Sequence, residues 1–154
     1  MPFYRFQLGS SNDALSYLSR ILYKKGYMIT KPVDIIGRHK HRDIHCEHKE
    51  TKAKKRIYMI FKNVHFLEHG WESINIECLY WCIDHKTDEI IIVYADGKIY
   101  SLSPKKWKQY ADEHGTYRIV EKQDTIKQFG KILMVEERTA SVDLKELRRF
   151  DTNE

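Results

Sequence analysis

Apolar residues recur every three or four positions near the start of the chain. Between residues 11 and 25 this spacing follows a cluster of serine, asparagine and aspartate and stops before Gly26. Such polar residues cap helix N-termini, and glycine is common just beyond the C-terminus, so the pattern predicts an amphipathic helix over 11–25. Two β-prone pieces follow at 27–30 and 33–36, and Pro32 between them indicates an edge strand or an irregular one.

The pattern then changes to the strict alternation that is typical of a half-buried strand. One face of the predicted strand carries Ile44 and Cys46, and the other face carries Asp43, His45 and Glu47. The polar run at 48–56 predicts a hairpin loop, because it contains too many charged residues to be buried. The apolar residues at 57–62 predict the next strand.

The middle of the chain predicts a second helix and the strongest strand. Ser73 is positioned to cap a helix whose apolar stripe would be Ile74, Cys78, Leu79 and Cys82. Residues 89–95 include four consecutive β-branched residues, as expected of a central strand that is covered on both faces. Asp96-Gly97 then predicts a hairpin turn into a strand at 98–102.

The last third of the chain continues as a mixture of helices and strands. Ser103-Pro104 predicts the start of a helix at 105–113, which Gly115 would end. The remaining predicted elements are strands at 117–120 and 132–136 and a helix at 143–150. The fold class predicted is therefore α/β, with the order helix, strand, strand, strand, helix, strand in the first two thirds and a C-terminal α/β extension.

The composition fits a single domain. The chain has 154 residues, of which 42% are hydrophobic and 32% charged, and we expect residues 1–154 to form one domain with its own core. The longest strongly apolar stretch, at 90–95, is far shorter than the ~20 residues of a membrane-spanning helix. No signal-peptide pattern is found at the N-terminus, so we expect a cytoplasmic protein without a membrane partner. Three cysteines cannot all pair with one another, and reduced thiols are the better interpretation.

The net charge of +5 permits nucleic-acid binding without proving it. Much of the excess lies in two groups, and these are the predicted nucleic-acid-binding residues. The first group is Lys52, Lys54, Lys55 and Arg56, and the second is Lys105 and Lys106. Contacts from such side chains to phosphates would be independent of sequence and sensitive to salt. The alternatives are a solvated hairpin tip for the first group and a helix that Trp107 packs onto the sheet for the second.

The predicted order from about residue 12 to 94 resembles the αβββαβ core of the PD-(D/E)XK nuclease superfamily, the restriction-endonuclease-like fold. In that family an acidic residue on the second core strand and a (D/E)-x-K motif on the third converge on a divalent metal and the scissile phosphate. Asp43 matches the first position and Lys62 matches the lysine, but Ile60 stands where the motif has its carboxylate. Some members move this carboxylate to the following helix, where Glu77 is the candidate. The size, the architecture and the displaced glutamate also resemble small nucleases of filamentous and rod-shaped archaeal viruses.

The resemblance implies a nuclease that depends on Mg²⁺ or Mn²⁺ and acts on DNA, with RNA and a homodimer left open. Asp43 and Glu77 would hold the metal, with Glu47 as a spare carboxylate. Lys62 would orient the attacking water or neutralise charge in the transition state. Two alternatives compete with this interpretation. One is a catalytically silent nucleic-acid-binding protein of the same fold, and the other is a protein-interaction module.

Several potential zinc ligands are clustered in the first third of the chain. They are His39, His41, His45, Cys46 and His48. Strand alternation would turn His45 and Cys46 to opposite faces, which disfavours a closed zinc site. His45 shares its predicted face with Asp43, so the alternative is that it assists metal binding or acts as a base. Cys78 and Cys82 fall on an apolar stripe, where thiols are usually inert.

Overall fold

The computed structural model describes residues 7–37, 40–63, 70–126 and 131–150. The described part is a mixed α/β fold, which confirms the predicted fold class. The helices are α1 (Ser11–Lys24), α2 (Ile76–Asp84) and α3 (Pro104–His114). The strands are β1 (Tyr27–Ile29), β2 (Asp34–Ile36), β3 (His41–His48), β4 (Lys54–Lys62), β5 (Trp71–Asn75), β6 (Glu89–Tyr94), β7 (Ile99–Leu102), β8 (Tyr117–Ile126), β9 (Lys131–Asp143) and β10 (Arg148–Arg149).

The strands form a large central sheet and a small one. The central sheet has the order β1-β3-β4-β6-β7-β10, with β2 also paired to β3. Its neighbouring strands are antiparallel except β4 and β6, which are parallel and are connected through β5 and α2. A parallel pair needs such a crossover, because a tight turn can only reverse the chain. The small sheet has the order β5-β9-β8 and is antiparallel.

Each face of the central sheet is covered by its own apolar cluster. On one face α1 contributes Ala14, Leu18 and Leu22. On the other face α2, α3 and the small sheet pack together, and the clusters on the two faces take alternate residues of β4 and β6. Residues 90–93 are accordingly fully buried, which confirms the prediction of a central strand covered on both faces. In the described part of the chain, no helix combines the length and the apolar character needed to cross a membrane.

The helices with strong local signals lie close to where the sequence predicts them. In α1 the Ser10 side chain accepts a hydrogen bond from the backbone N–H of Asp13, as an N-cap does. In α3 Ser103 is the N-cap, and Gly115 ends the helix in the left-handed conformation with φ of 61°. Trp107 is fully buried and donates its indole N–H to the carbonyl of Ala140 at 2.9 Å, so it packs α3 onto the small sheet.

The prediction that Ser73 caps a helix is wrong. Ser73 lies within β5, and α2 begins only at Ile76, where the Asn75 side chain accepts hydrogen bonds from the backbone N–H groups of Glu77 and Cys78. The segment before Ile76 is extended because every residue of β5 is paired with β9, a strand more than 60 residues away in sequence. Pairing with a distant strand therefore overrides the local helical spacing.

Two further predictions need correction. The final helix at 143–150 is wrong, because the segment forms a 3₁₀ turn at Leu144–Glu146 and then β10, which pairs with β7. Leu147 follows the 3₁₀ turn and precedes β10, and its side chain is buried there. Its apolar character therefore reflects this burial and not a position on a helix. The hairpin loop predicted at 48–56 is shorter than expected, because β3 extends to His48 and β4 begins at Lys54.

Candidate functional site

One end of the central sheet collects basic residues from distant parts of the sequence. At this end β3 ends, β4 and β6 begin, β7 ends and β10 begins, as the strand registers show. The C-terminus of α1, the N-terminus of α3 and the β3–β4 turn adjoin the same end. We call this surface the basic end, and it comprises Lys25, Lys52, Lys54, Lys55, Lys105, Lys106, Arg148 and Arg149.

The cations of the basic end are largely exposed, with some local neutralisation. Lys52, Lys54, Lys105 and Lys106 are exposed, as are both arginines of β10. Lys55 is half-buried, with its ammonium 3.6 Å from a Glu89 carboxylate oxygen and 5.2 Å from the centre of the Tyr27 ring. The acidic side chains of Glu47, Asp88 and Glu89 lie near this end and offset part of its charge.

Two pockets indent the basic end, and Lys55 lines both. One has a volume of about 410 Å³ and is lined by Lys25, Arg148 and Arg149. The other has a volume of about 430 Å³ and is lined by His45, Glu47, Lys54 and Arg56, among others. We call this second one the β3–β4 pocket. Both present cationic side chains around a concave, water-accessible space, which is suited to phosphate groups.

Asp43, a predicted metal ligand, is held in a buried ion pair. Its two carboxylate oxygens accept hydrogen bonds from Nε and Nη2 of Arg56 at 2.9 and 2.8 Å, and Oδ2 lies 3.3 Å from Nε2 of His45. Asp43 is only 3% exposed. Burial alone would raise its pKa, but the hydrogen bonds and charges of Arg56 and His45 outweigh burial and lower the pKa below its ordinary value. The carboxylate is therefore ionised at neutral pH, and both of its oxygens already accept hydrogen bonds from neighbouring side chains.

Arg56 connects the central sheet to α2. Besides its bonds to Asp43, its Nη1 donates to the carbonyl of His85 at 2.9 Å, and its guanidinium lies 5.4 Å from the centre of the Trp81 ring. The hydrogen bond to Asp43 raises the pKa of Arg56 further. Arg56, which the sequence predicts to bind phosphate from a loop, thus lies in a strand and is fixed by internal contacts, with about a quarter of its side chain still exposed.

Lys62, the predicted catalytic lysine, lies at the opposite end of β4 from the basic end. Its ammonium forms an ion pair with the carboxylate of Glu72 and donates to the carbonyl of Ser73 at 3.0 Å. Glu72 is fully buried and also accepts a hydrogen bond from the hydroxyl of Tyr94. Lys62, Glu72 and Tyr94 therefore form a polar cluster that joins β4 and β6 to β5.

The structure does not bring Asp43, Lys62 and Glu77 together. Asp43 pairs in register with Tyr58, four residues before Lys62 on β4, which corresponds to a distance of about 13 Å along the strand. Glu77 is exposed in the first turn of α2, whereas the partner of Asp43 contacts the other end of that helix, about 12 Å away along its axis. Asp43 and Glu77 therefore do not fit a shared Mg²⁺ site. No group of three or more His, Cys, Asp or Glu side chains in the described ranges is arranged to hold a metal ion.

His45 and Cys46 of β3 point to opposite faces of the sheet, as predicted. Cys46 lies in the apolar cluster under α1, while His45 contacts Asp43 on the other face. Burial raises the pKa of Cys46 to about 11 and that of Cys82 to about 12, so both thiols stay protonated and poorly nucleophilic. His41 lies 2.7 Å from the hydroxyl of Tyr58 through its Nδ1. His39 lies outside the described residues.

Sequence reasoning missed two sets of residues. The buried carboxylate of Glu72 was missed because the local pattern predicts a loop and a helix start there, although the buried residues Glu72 and Ile74 alternate with partly buried positions as strand residues do. The arginines of β10 were missed because the local pattern predicts a helix at 143–150, whereas Arg148 and Arg149 form a strand. The adjacent arginines in the sequence are the available signal, but only the pairing of β10 with β7 brings them to the pocket that Lys55 also lines.

Comparison with known proteins gives no family to which this chain can be assigned. No family model, no curated protein and no solved structure matches it. The nuclease resemblance drawn from the order of elements is therefore still a prediction.

Proposed function

We propose that the protein binds nucleic acid through the basic end. The observation that carries this proposal is a single pocket whose lining brings Lys55 of β4 together with Arg148 and Arg149 of β10. β4, β6, β7 and β10 are consecutive neighbours, so these cations span three strand spacings, or about 14 Å. Duplex DNA carries one negative charge per ~1.7 Å of its axis, and a surface of this width faces several phosphates.

The shape of the surface supports a polyanion as partner. Two pockets with cationic linings share Lys55 and are therefore adjacent. They offer neighbouring binding sites for successive phosphates. Lys52 and Lys54 extend the charge along the β3–β4 turn, and Lys105 and Lys106 extend it along α3. A surface that served solubility alone would have no reason to gather its cations from two helices, two strands and the β3–β4 turn at one concave end. DNA and RNA are both candidate partners, since phosphate contacts do not distinguish them.

Mutagenesis of the two ends of the sheet tests this proposal. Binding of labelled duplex DNA, single-stranded DNA and RNA would be measured by fluorescence anisotropy for the double variant Lys55→Gln/Arg148→Gln. The matched control is Lys40→Gln/Lys98→Gln, which removes the same charge at the opposite end. We expect the first variant to bind more weakly and its salt dependence to be less steep by roughly two ions, one for each lost contact. An equal decrease in affinity for both variants would show that only net charge matters, and it would overturn the assignment of binding to the basic end.

A metal-dependent nuclease is the second candidate. In its favour, Asp43 and Lys62 lie on the same face of the central sheet, and α2 packs on that face. Against it, the carboxylate of Asp43 is engaged by Arg56 and Glu77 lies elsewhere. The test is incubation with Mg²⁺ or Mn²⁺ and with linear DNA, circular DNA or RNA. Metal-dependent cutting that Glu77→Ala abolishes would support this candidate, and intact substrates under all conditions would exclude it.

The homodimer and the cytoplasmic location stay predictions. A C₂ dimer that joined two basic ends would double the number of phosphates contacted and would steepen the salt dependence of binding. Light scattering with and without nucleic acid would measure the oligomeric state. A monomer under both conditions would contradict the dimer without affecting the proposed binding surface.

A further inference from the structure

Four side chains of complementary chemistry form a compact array in the β3–β4 pocket. In the register of the two strands His45 lies opposite Arg56, and Glu47 lies opposite Lys54. Residues directly opposite on antiparallel strands share a face, so all four project the same way. Residues two apart on a strand are about 7 Å apart, and the strands are about 4.8 Å apart. An acid, an imidazole and two cations therefore surround a space that is suited to one phosphate group.

We propose that this pocket cleaves RNA by internal transesterification, with Glu47 as general base and His45 as general acid. The inference rests on the proposed nucleic-acid binding, because the basic end would deliver the strand to the pocket. RNA carries its own nucleophile, the 2′-hydroxyl beside each phosphate. The reaction needs only a group that removes the 2′ proton, a group that protonates the leaving oxygen, and positive charge near the phosphorus.

The proposed step is balanced in atoms and protons. Glu47 takes the proton of the 2′-hydroxyl as that oxygen attacks the phosphorus and forms the new P–O2′ bond. The P–O5′ bond breaks, and His45 in its protonated form donates a proton to the departing O5′. The products are a 2′,3′-cyclic phosphate and a 5′-hydroxyl. Glu47 returns its proton to solvent and His45 regains one, so no oxidant, reductant or other co-reactant is consumed.

The surrounding residues hold the array in place. Because Asp43 is ionised, its Oδ2 can only accept, so Nε2 of His45 carries a hydrogen and Nδ1 is the nitrogen left for the leaving oxygen. Asp43 thus acts as a positioning residue for the imidazole. It also fixes Arg56, whose remaining contacts hold the guanidinium at the pocket wall. Lys54 is exposed and supplies a mobile charge for the phosphate.

The experiment compares three single-stranded oligonucleotides of the same sequence in the presence of excess EDTA. The oligonucleotides are RNA, DNA and 2′-O-methyl RNA, and the products are identified by mass spectrometry. We expect the full-length protein to cut only the RNA and to leave 2′,3′-cyclic phosphate ends, because the other two have no 2′-hydroxyl. This comparison uses the unaltered protein and does not depend on whether a variant folds.

Variants assign the activity to the pocket. We expect Glu47→Gln and His45→Gln each to lower the cleavage rate by roughly 100-fold or more, the usual contribution of a general base or acid. The matched controls are Glu113→Gln and His114→Gln on α3, which should cut like the wild type. Asp43→Asn should lower kcat while leaving the affinity for 2′-O-methyl RNA unchanged, a split that simple loss of folded protein would not produce.

The outcomes separate this inference from the proposed function. Salt-dependent binding of RNA without cleavage would overturn the inference and leave nucleic-acid binding intact. Neither binding nor cleavage would overturn both. Cleavage at an unchanged rate by the Glu47→Gln and His45→Gln variants would show that another site or a contaminating ribonuclease is responsible, and it would also overturn the inference.

Discussion

The ion pair between Asp43 and Arg56 should contribute strongly to stability, and the variant Asp43→Ala tests this. The substitution leaves the guanidinium of Arg56 without the acceptor of two hydrogen bonds in a site where Asp43 is only 3% exposed. Removing one partner of a buried pair costs about 3–5 kcal/mol. About a quarter of the Arg56 side chain is exposed, so water can replace part of the lost interaction. We therefore expect a loss of about 3 kcal/mol, at the lower end of that range.

Urea unfolding and thermal unfolding, both followed by circular dichroism, would measure this loss. For a chain of this size, about 3 kcal/mol corresponds to a decrease in Tm of roughly 6–12 °C. The control is Asp112→Ala, which removes a solvent-exposed ion pair with Lys108 and should change stability little. If Asp43→Ala is no more destabilising than Asp112→Ala, the claim that Asp43 is structurally engaged is refuted. Asp43 would then be available for the metal-binding role that the sequence resemblance implies.

The same pair predicts a dependence of stability on pH. The pKa of Asp43 is lowered in the folded protein, so its contribution is complete above the unfolded value of about 3.9. The contribution is lost as the pH falls below that value and through the folded pKa. We expect the wild type to lose stability over this range more steeply than Asp43→Asn. Parallel curves for the two proteins would contradict the lowered pKa.

Three further predictions concern other parts of the fold. Glu72→Ala should lower the free energy of unfolding by about 3–5 kcal/mol in urea melts, because it removes the buried carboxylate that pairs with Lys62 and Tyr94. A decrease no larger than that caused by a substitution at an exposed position would contradict this. Gly115→Ala should destabilise by about 1 kcal/mol, since φ there is 61°, and an unchanged Tm would argue against the left-handed C-cap. Cys46, with its pKa raised to about 11, should react with a thiol reagent at neutral pH far more slowly in the folded than in the urea-unfolded protein; equal rates would contradict its burial.

The elements that the sequence predicts correctly are those fixed by local signals. The caps and the spacing of α1 and the Ser103-Pro104 start of α3 lie within the elements themselves or next to them. The consecutive β-branched residues of β6 likewise indicate burial on both faces without reference to any partner. By contrast, β5 and β10 exist because they pair with β9 and β7. Nothing within those segments specifies a partner strand, and this is why the local pattern predicts helices there.

The candidate site shows the same division. The predicted order of elements correctly assigns Asp43 and Lys62 to strands. It does not specify which side chains they contact. Their partners, Arg56 and Glu72, follow from strand register and from the packing of β5, neither of which local pattern encodes. The basic residues of the β3–β4 turn were recognisable from the sequence, but their neighbours on β10 were not. The array of four side chains in the β3–β4 pocket likewise depends on a register that one sequence does not specify.

The most direct test of nucleic-acid binding through the basic end is the salt dependence of duplex DNA binding by the wild-type protein. The logarithm of the association constant would be plotted against the logarithm of the salt concentration. A surface about 14 Å wide spans about four phosphates of one DNA strand, at ~3.4 Å each, which predicts a straight line with a slope of roughly −4. Binding with a slope near zero, or no binding at low salt, would contradict the account.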